Sequence, residues 1–228
     1  MFSSDKLVIL DADGTIIDAF SAIAATFSAH GMNIGDLARF QKRHNLFKYL
    51  GGAKEFPSNL KKQLTATRRS ALLRTLTEVY REQGQLFPGM GDTINKLLDQ
   101  AGLRVGVVTR NITTDPQQTL RALFTREGVE VERLDFLIHL PLKQDKRDSF
   151  AWLRERFAIN PARSYVCGDE HKDYLAAVAA GMHPLIASYG FENHERLTRK
   201  FEVPPVVVLP TPQALSERLF HALDIDPR

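Results

Sequence analysis

Two carboxylates, Asp11 and Asp13, stand two residues apart where the apolar run Leu7–Leu10 ends in KLVILDADGTIID. The run holds no polar residue, so it reads as a strand covered on both faces. Side chains at i and i+2 of a strand point the same way, which would bring two like charges together unless a cation lies beside them. Other apolar runs end in similar chemistry. Thr109, Arg110 and Asn111 close VGVVTRN, Lys143 and Lys146 stand in LPLKQDK after FLIH, and Gly168, Asp169, Glu170 and Asp173 follow SYVC. In a parallel sheet all these positions meet at one edge, beyond the carboxyl ends of the strands. Carboxylate oxygens are hard ligands that suit Mg²⁺. A carboxylate beside such an ion can attack phosphorus, a second can protonate the leaving oxygen, and a hydroxyl and an ammonium can hold the non-bridging oxygens. Gly14 permits a sharp turn and a close backbone approach, with Thr15 next to it. The set suits phosphoryl transfer.

The elements that would position these groups follow a regular pattern. Strands are expected at Leu7–Leu10, Val105–Thr109, Phe136–His139, Tyr165–Cys167, Pro184–Ala187 and Val206–Leu209. From Gly89 onward they alternate with amphipathic helical segments, among them DPQQTLRALFTREG, with Asp115 as N-cap, Pro116 at the first helical position and Gly128 as stop. Alternation of this kind implies an α/β fold, a Rossmann-like doubly wound parallel sheet with helices on both faces. Residues 17–87 break it. DAFSAIAATFSAHG, DLARFQKRH and the long segment from Ser58 to Gly84 are all helix-like, so an all-helical domain is expected as an insertion after the first strand. The expected division is 1–16 with 88–228 as the core and 17–87 as the insertion.

Composition narrows the setting. Of 228 residues, 43% are hydrophobic, enough for a full core with a small second domain. The single cysteine, Cys167, rules out an intrachain disulfide and fits a reducing, cytoplasmic compartment. No signal-like N-terminal region is expected, and no apolar run is long enough to span a membrane. GxxxxGK[ST], GxSxG and HExxH are absent, as is a second Cys.

Taken in order, DADGT, VVTRN, a lysine before a helix and GDEHKD resemble the four motifs of the haloacid dehalogenase superfamily, over essentially the whole chain. The helical insertion is similar to that superfamily's C1-type cap. LFPGM, Leu86–Met90, resembles the return from cap to core in the phosphoglycolate phosphatase and β-phosphoglucomutase branch. The resemblance implies a Mg²⁺-dependent phosphatase acting on a small phosphorylated substrate. It makes Asp11 the nucleophile that forms an aspartyl-phosphate and Asp13 the general acid and base. Asp11, the carbonyl of Asp13 and Asp169 become metal ligands, with Asp173 in support, and Thr109 binds a phosphoryl oxygen. Gly14, Thr15, Arg110 and Asn111 are the further candidates for phosphate or substrate contact. Dehalogenating members lack the second Asp, so Asp13 argues for phosphatase chemistry.

Two lysines compete for the phosphate-binding role. The branch carries Lys-Pro-x-Pro, whereas this chain has KQDK. With Asp145 as N-cap, Lys146 falls at the first helical position and Lys143 on the loop, which favours Lys143 and leaves Lys146 as the second candidate. Other readings remain: a phosphomutase returning the phosphoryl group to a sugar, or a non-catalytic regulatory or binding protein on the same fold. Nucleic acid and membrane are not expected as partners, and the chain is expected as a monomer or homodimer.

One feature lies outside the resemblance. Arg39, Lys42, Arg43, Lys48, Lys54, Lys61, Lys62, Arg68 and Arg69 face only one acid, Glu55, so this stretch carries +8 in a chain of net +3 and the remainder carries −5. It is a solvated helix face, a field that draws in a multiply anionic substrate or, as the minority reading with no recognised binding module beside it, a nucleic-acid contact. Gly51–Gly52, inside it, is either a hinge or substrate loop in the insertion or a plain turn. If the field steers, kcat/KM for a multiply charged substrate should fall as salt rises from about 10 to about 200 mM, because screening shortens its reach from roughly 30 Å to under 10 Å. Reversing the charge of Lys61, Lys62, Arg68 and Arg69 should flatten that slope and leave kcat unchanged. Identical slopes would identify a solvated face.

Overall fold

A computed structural model describes residues 2–38, 41 and 66–226. Seven of the nine basic residues, Glu55, Gly51–Gly52, part of DLARFQKRH and residues 58–65 of the long segment lie outside the described residues. Arg68 and Arg69 lie within them.

Six parallel strands form one sheet: β1 Lys6–Leu10, β2 Leu103–Thr109, β3 Phe136–His139, β4 Ser164–Gly168, β5 His183–Ala187 and β6 Val208–Leu209, in the order β3-β2-β1-β4-β5-β6. β1 lies between β2 and β4, with Leu10 opposite Val107 and Cys167. The chain therefore leaves β1 toward one side of the sheet and returns to the other side at β4. That reversal opens a crevice at the carboxyl ends of these strands. The uninterrupted apolar sequence of β1 has a simple cause, since Leu7, Val8 and Ile9 are all fully buried. Alternate side chains serve opposite faces. Val8 and Leu10 pack with Val105, Val107, Cys167 and Leu185 on one side, Leu7 and Ile9 with Val108 and Val166 on the other.

Helices cover both faces. On the Val8 face lie α1 Ala19–Ala29, α2 Ala66–Glu82, α3 Met90–Leu98, α4 Pro116–Arg126 and α7 Pro212–Leu223, and on the Leu7 face α5 Arg147–Arg156 and α6 His171–Ala179. Their starts follow local chemistry. Asp18, Asp115 and Thr211 accept from the backbone N–H three residues on, and Pro116 and Pro212 take the first helical positions. β6 is shorter than the expected Val206–Leu209, because Pro205–Val207 forms a 3₁₀ turn first and Val206 is left exposed. A proline cannot donate to the ladder.

α1 and α2 lie between β1 and β2, where the helical insertion was expected. They are docked rather than separate: Ile23 and Phe27 of α1 and Leu72, Leu76 and Tyr80 of α2 share the core on the Val8 face. Thr77 of α2 meets Thr114, and Arg81 donates to Thr119 at the start of α4. No helix among the described residues is long and apolar enough to cross a membrane.

β2 and β3 approach tightly at Gly106. A Cβ there would lie 2.4 Å from the carbonyl oxygen of Phe136 and 2.5 Å from its ring. Gly106→Ala should therefore lower the urea midpoint, by about 1–3 kcal/mol of stability, with the slope unchanged. An unchanged midpoint would show that β3 yields without loss.

Candidate active site

β1 ends at Leu10, and the chain turns at once. The carbonyl of Ala12 accepts from the N–H groups of Thr15, Ile16 and Ile17, and Gly14 takes φ +82°. The alternation of a strand stops before Asp13, so the two acids of DADGT do not share one environment as their spacing suggested. Asp11 joins an acidic cluster. Asp13 turns to a separate set of neutral donors.

Asp11 Oδ2 lies 2.7 Å from Lys146 Nζ, and the same ammonium lies 2.8 Å from Asp173 Oδ1. Asp11, Asp169 and Asp173 each offer a carboxylate oxygen within 4.8 Å of the others. Glycines make this crowding possible. A Cβ on Gly14 would fall 2.2 Å from Asp169 Oδ2, one on Gly190 would fall 2.4 Å from the same oxygen, and one on Gly168 would fall 2.4 Å from Cβ of Asp173. Asp169 Oδ2 accepts from Phe191 N–H at 2.6 Å, while its Oδ1 is buried without a hydrogen-bond partner. Asp173 caps backward onto the N–H of Glu170, and its Oδ1 has the ion-pair contact with Lys146 but no well-directed hydrogen bond.

The three carboxylates fit a divalent cation on this structure's own terms. Lys146 balances one of three negative charges, and Arg110 is engaged by Glu170 at 2.7 Å. Two negative charges and an orphaned buried oxygen remain, all from hard ligands.

The lysine expectation needs correcting. Lys143 is exposed, and it is Lys146 that reaches Asp11 and Asp173. The helix α5 begins one residue later than expected, at Arg147, with Asp145 Oδ1 accepting from Arg147 N–H at 2.8 Å. Lys146 is therefore at the cap and turns its side chain inward. A turn closed by Gln144 N–H on the carbonyl of Pro141 holds Lys143 in solvent.

Asp13 is 5% exposed. Its Oδ1 accepts from the Tyr80 hydroxyl at 2.8 Å, and Asn111 Nδ2 lies 3.1 and 3.0 Å from its two oxygens. Thr109 is buried, and its hydroxyl accepts from Asn111 N–H at 3.2 Å. The Thr15 hydroxyl is buried without a partner. Thus Gly14 borders the cluster, Thr109 and Thr15 are buried, Arg110 is tied to Glu170, and Asn111 is engaged by Asp13. Glu170 is not the solvated helix-start residue its position suggests. Cys167 is a core thiol that burial pushes up to about 12. Tyr80 and Gly190 are the residues sequence reasoning missed. Tyr80 looks like any apolar-face aromatic of a helix, and Gly190 like any turn glycine.

Burial sets the protonation of the site. It pushes Asp11 up to about 7, although Lys146 works against it, and Asp13 up to about 6, although Tyr80 and Asn111 oppose. Burial and then Asp11 and Asp173 raise Asp169 strongly. Burial would raise Asp173 too, yet Lys146 and Arg110 hold it below the carboxylate range. Burial also works against the charge of Lys146, but Asp11 and Asp173 overcome it.

With this geometry in hand, the comparisons with known proteins place the chain. Residues 6–181 match the haloacid dehalogenase-like hydrolase family, and the chain belongs to it. It is similar to the phosphoglycolate phosphatase of Vibrio vulnificus strain YJ016, 24% identical over 85% of this chain and 88% of that one. In structure it is similar to a predicted phosphoglycolate phosphatase of Haemophilus somnus, with TM-score 0.69, 18% identity and coverage of 95% and 97% of the two chains. It is also similar to a candidate β-phosphoglucomutase of Thermotoga maritima, with TM-score 0.65, 16% identity and coverage of 95% and 99%. Within its family the chain is a phosphatase.

The pKa directions carry a test. A carboxyl whose folded pKa exceeds its unfolded value, 3.8 here, stabilises the fold fully below that value, and the contribution is lost as pH rises through the folded pKa. For Asp13 and Asp11 that loss runs from 3.8 to about 6 and about 7. Asp173, shifted the other way, is ionised throughout. Without divalent cation the protein should melt at a higher temperature at about pH 5 than at about pH 8, and a divalent cation added at about pH 8 should raise Tm. A cation-free Tm that climbs between these pH values would refute the reading.

Proposed function

We propose that this phosphatase is a Mg²⁺-dependent phosphomonoester hydrolase that works on a small phosphorylated metabolite through an aspartyl-phosphate on Asp11. The observation that carries the reading is the buried Asp11–Asp169–Asp173 cluster, with the Lys146 ammonium 2.7 Å from Asp11.

Asp11 is the nucleophile. Its carboxylate oxygen forms a bond to phosphorus as the bond from phosphorus to the leaving alcohol oxygen breaks, and Asp13 gives that oxygen its proton. Asp13, now ionised, takes a proton from water. The water oxygen then bonds to phosphorus, inorganic phosphate leaves, and the Asp11 carboxylate is restored. Lys146 holds a non-bridging oxygen and counters the charge that builds there, with Thr109 and the N–H of Arg110 as further donors. Asp11, Asp169 and the carbonyl of Asp13 would hold Mg²⁺, with Asp173 in support, and the ion supplies charge neutralisation at the phosphoryl group when bound. Residues 17–87 serve as the cap over a core of 1–16 and 88–228. The similarity to phosphoglycolate phosphatases makes a small phosphorylated hydroxy acid the first substrate class to try.

Three variants test this assignment with a phosphate-release assay. Asp11→Asn should lower turnover at least about 10³-fold while the far-UV spectrum is unchanged, since only the carboxylate can attack. Lys146→Met should lower kcat/KM by about 10² or more, as for a lost oxyanion donor. Lys143→Ala should stay within about twofold of wild type, because an exposed side chain takes no part in the chemistry. Substantial activity in Asp11→Asn would exclude covalent catalysis by that residue, and the reverse ranking of the lysines would exclude Lys146. Chelation of divalent ions should abolish activity, and added Mg²⁺ should restore it.

A further inference from the structure

We propose that Tyr80, on α2, is a positioning residue for Asp13: its hydroxyl fixes the orientation of that carboxylate and so ties the acid–base step to the helical segment between β1 and β2. The inference rests on the phosphatase reading, in which Asp13 gives and takes the proton.

Tyr80 is fully buried in the core on the Val8 face, among the largest side chains there. Packing alone would be served by Phe, since a buried hydroxyl costs free energy unless it is bonded. Its bond goes to Asp13 Oδ1 at 2.8 Å, across 67 residues of sequence. Burial, and then Asp13 itself, push the phenol well above its ordinary 10.0, so it stays a donor at neutral pH.

The second holder of Asp13 is itself held. Asn111 Oδ1 accepts from the N–H and the hydroxyl of Thr113 at 2.9 and 2.6 Å, which turns Nδ2 toward Asp13. The Asn111 carbonyl lies 2.9 Å from His139 Nε2. Asp13 Oδ1 thus faces two donors, Tyr80 and Asn111, while Oδ2 faces Asn111 alone. Oδ2 is the oxygen with lone pairs left for the leaving group or for water. The last torsion of an Asp side chain is broad, so donors in fixed positions are needed to hold the carboxylate plane and keep one oxygen position open. Asn111 spans both oxygens and cannot by itself choose between them. The Tyr80 hydroxyl supplies the asymmetry.

α2 does not belong to the sheet or its return helices. It is fastened to the start of α4 by Thr77–Thr114 and Arg81–Thr119 and packs on α1. A change in the seat of this helix reaches the acid–base residue directly through the Tyr80 hydroxyl.

The test measures kcat and KM for wild type, Tyr80→Phe, Asp13→Asn and the double variant, on an alkyl phosphomonoester and on p-nitrophenyl phosphate with Mg²⁺. Thermal melts of all four proteins accompany the kinetics. Phe keeps the ring and its packing. Tyr80→Phe should lower kcat for the alkyl ester about tenfold or more, with KM within about twofold, as for a lost hydrogen bond to a charged group. The loss should be smaller for p-nitrophenyl phosphate, whose leaving oxygen needs little help from a proton. In the Asp13→Asn background the same change should cost nothing further in rate, and the two substitutions should be non-additive in Tm. The proposal is overturned by a raised KM at unchanged kcat, by equal losses on the two esters, or by an additive loss in the Asp13→Asn background. If Asp13→Asn is inactive and Tyr80→Phe matches wild type, Tyr80 alone is dismissed. If the wild type cleaves neither ester, or Asp13→Asn is fully active, the phosphatase reading fails and takes this inference with it.

Discussion

The ammonium of Lys146, between Asp11 and Asp173 at 2.7 and 2.8 Å, is the contact on which the architecture of the site depends. Three carboxylates gathered at a buried sheet edge cannot all stay ionised without compensation. Lys146, with Arg110 beside it, lowers Asp173 below its ordinary range but leaves Asp11 and Asp169 raised. The surrounding structure accordingly serves the crowding. The strand order brings β1 next to β4, and Gly14, Gly168 and Gly190 remove the Cβ atoms that would occupy the carboxylates' space. Arg110, the residue after β2, is paired with Glu170 and adds a fixed ion pair whose guanidinium still helps to hold Asp173 down.

Much of this was legible in the sequence, for identifiable reasons. A strand buried on both faces must be apolar without interruption, so β1 and the acids at its end announce themselves. Caps and stops mark helices with equal clarity, as Asp115, Pro116 and Gly128 do for α4. The lysine was misjudged because the argument depended on a single residue at a helix start. Asp145 caps α5 from one position earlier than assumed, which brings Lys146 inward and leaves Lys143 on a turn. Helix boundaries inferred from pattern are uncertain by at least that much. The expected clash of Asp11 with Asp13 failed for a related reason. It extended the two-residue alternation of a strand past Leu10, where the strand ends.

Tyr80 and Gly190 were illegible for a different cause. Each acts through a contact distant in sequence, Tyr80 with Asp13 and Gly190 with Asp169. Nothing local distinguishes a tyrosine whose hydroxyl reaches a carboxylate from one that only fills a core. The pattern of a helix reports which face is buried, and not which polar atom on that face has work to do.

The two acids of DADGT thus answer the question their spacing raises. They are near neighbours in sequence with different electrical surroundings, and such differences are how one site runs two kinds of carboxylate chemistry. Asp11 faces an ammonium, and in the proposed reaction it must be ionised to attack. Asp13 faces a phenol and an amide, neutral donors that favour its ionised form against the burial that raises it to about 6. A nucleophile needs a fixed charge beside it, whereas a residue that first gives and then takes a proton is served by opposing effects, here burial against two donors, that keep its pKa within reach of neutrality. Assigning the cationic partner to one acid and the neutral partners to the other is what the turn at Ala12–Ile17 accomplishes. The strand has ended at Leu10, and the turn that follows lets the two acids look in different directions.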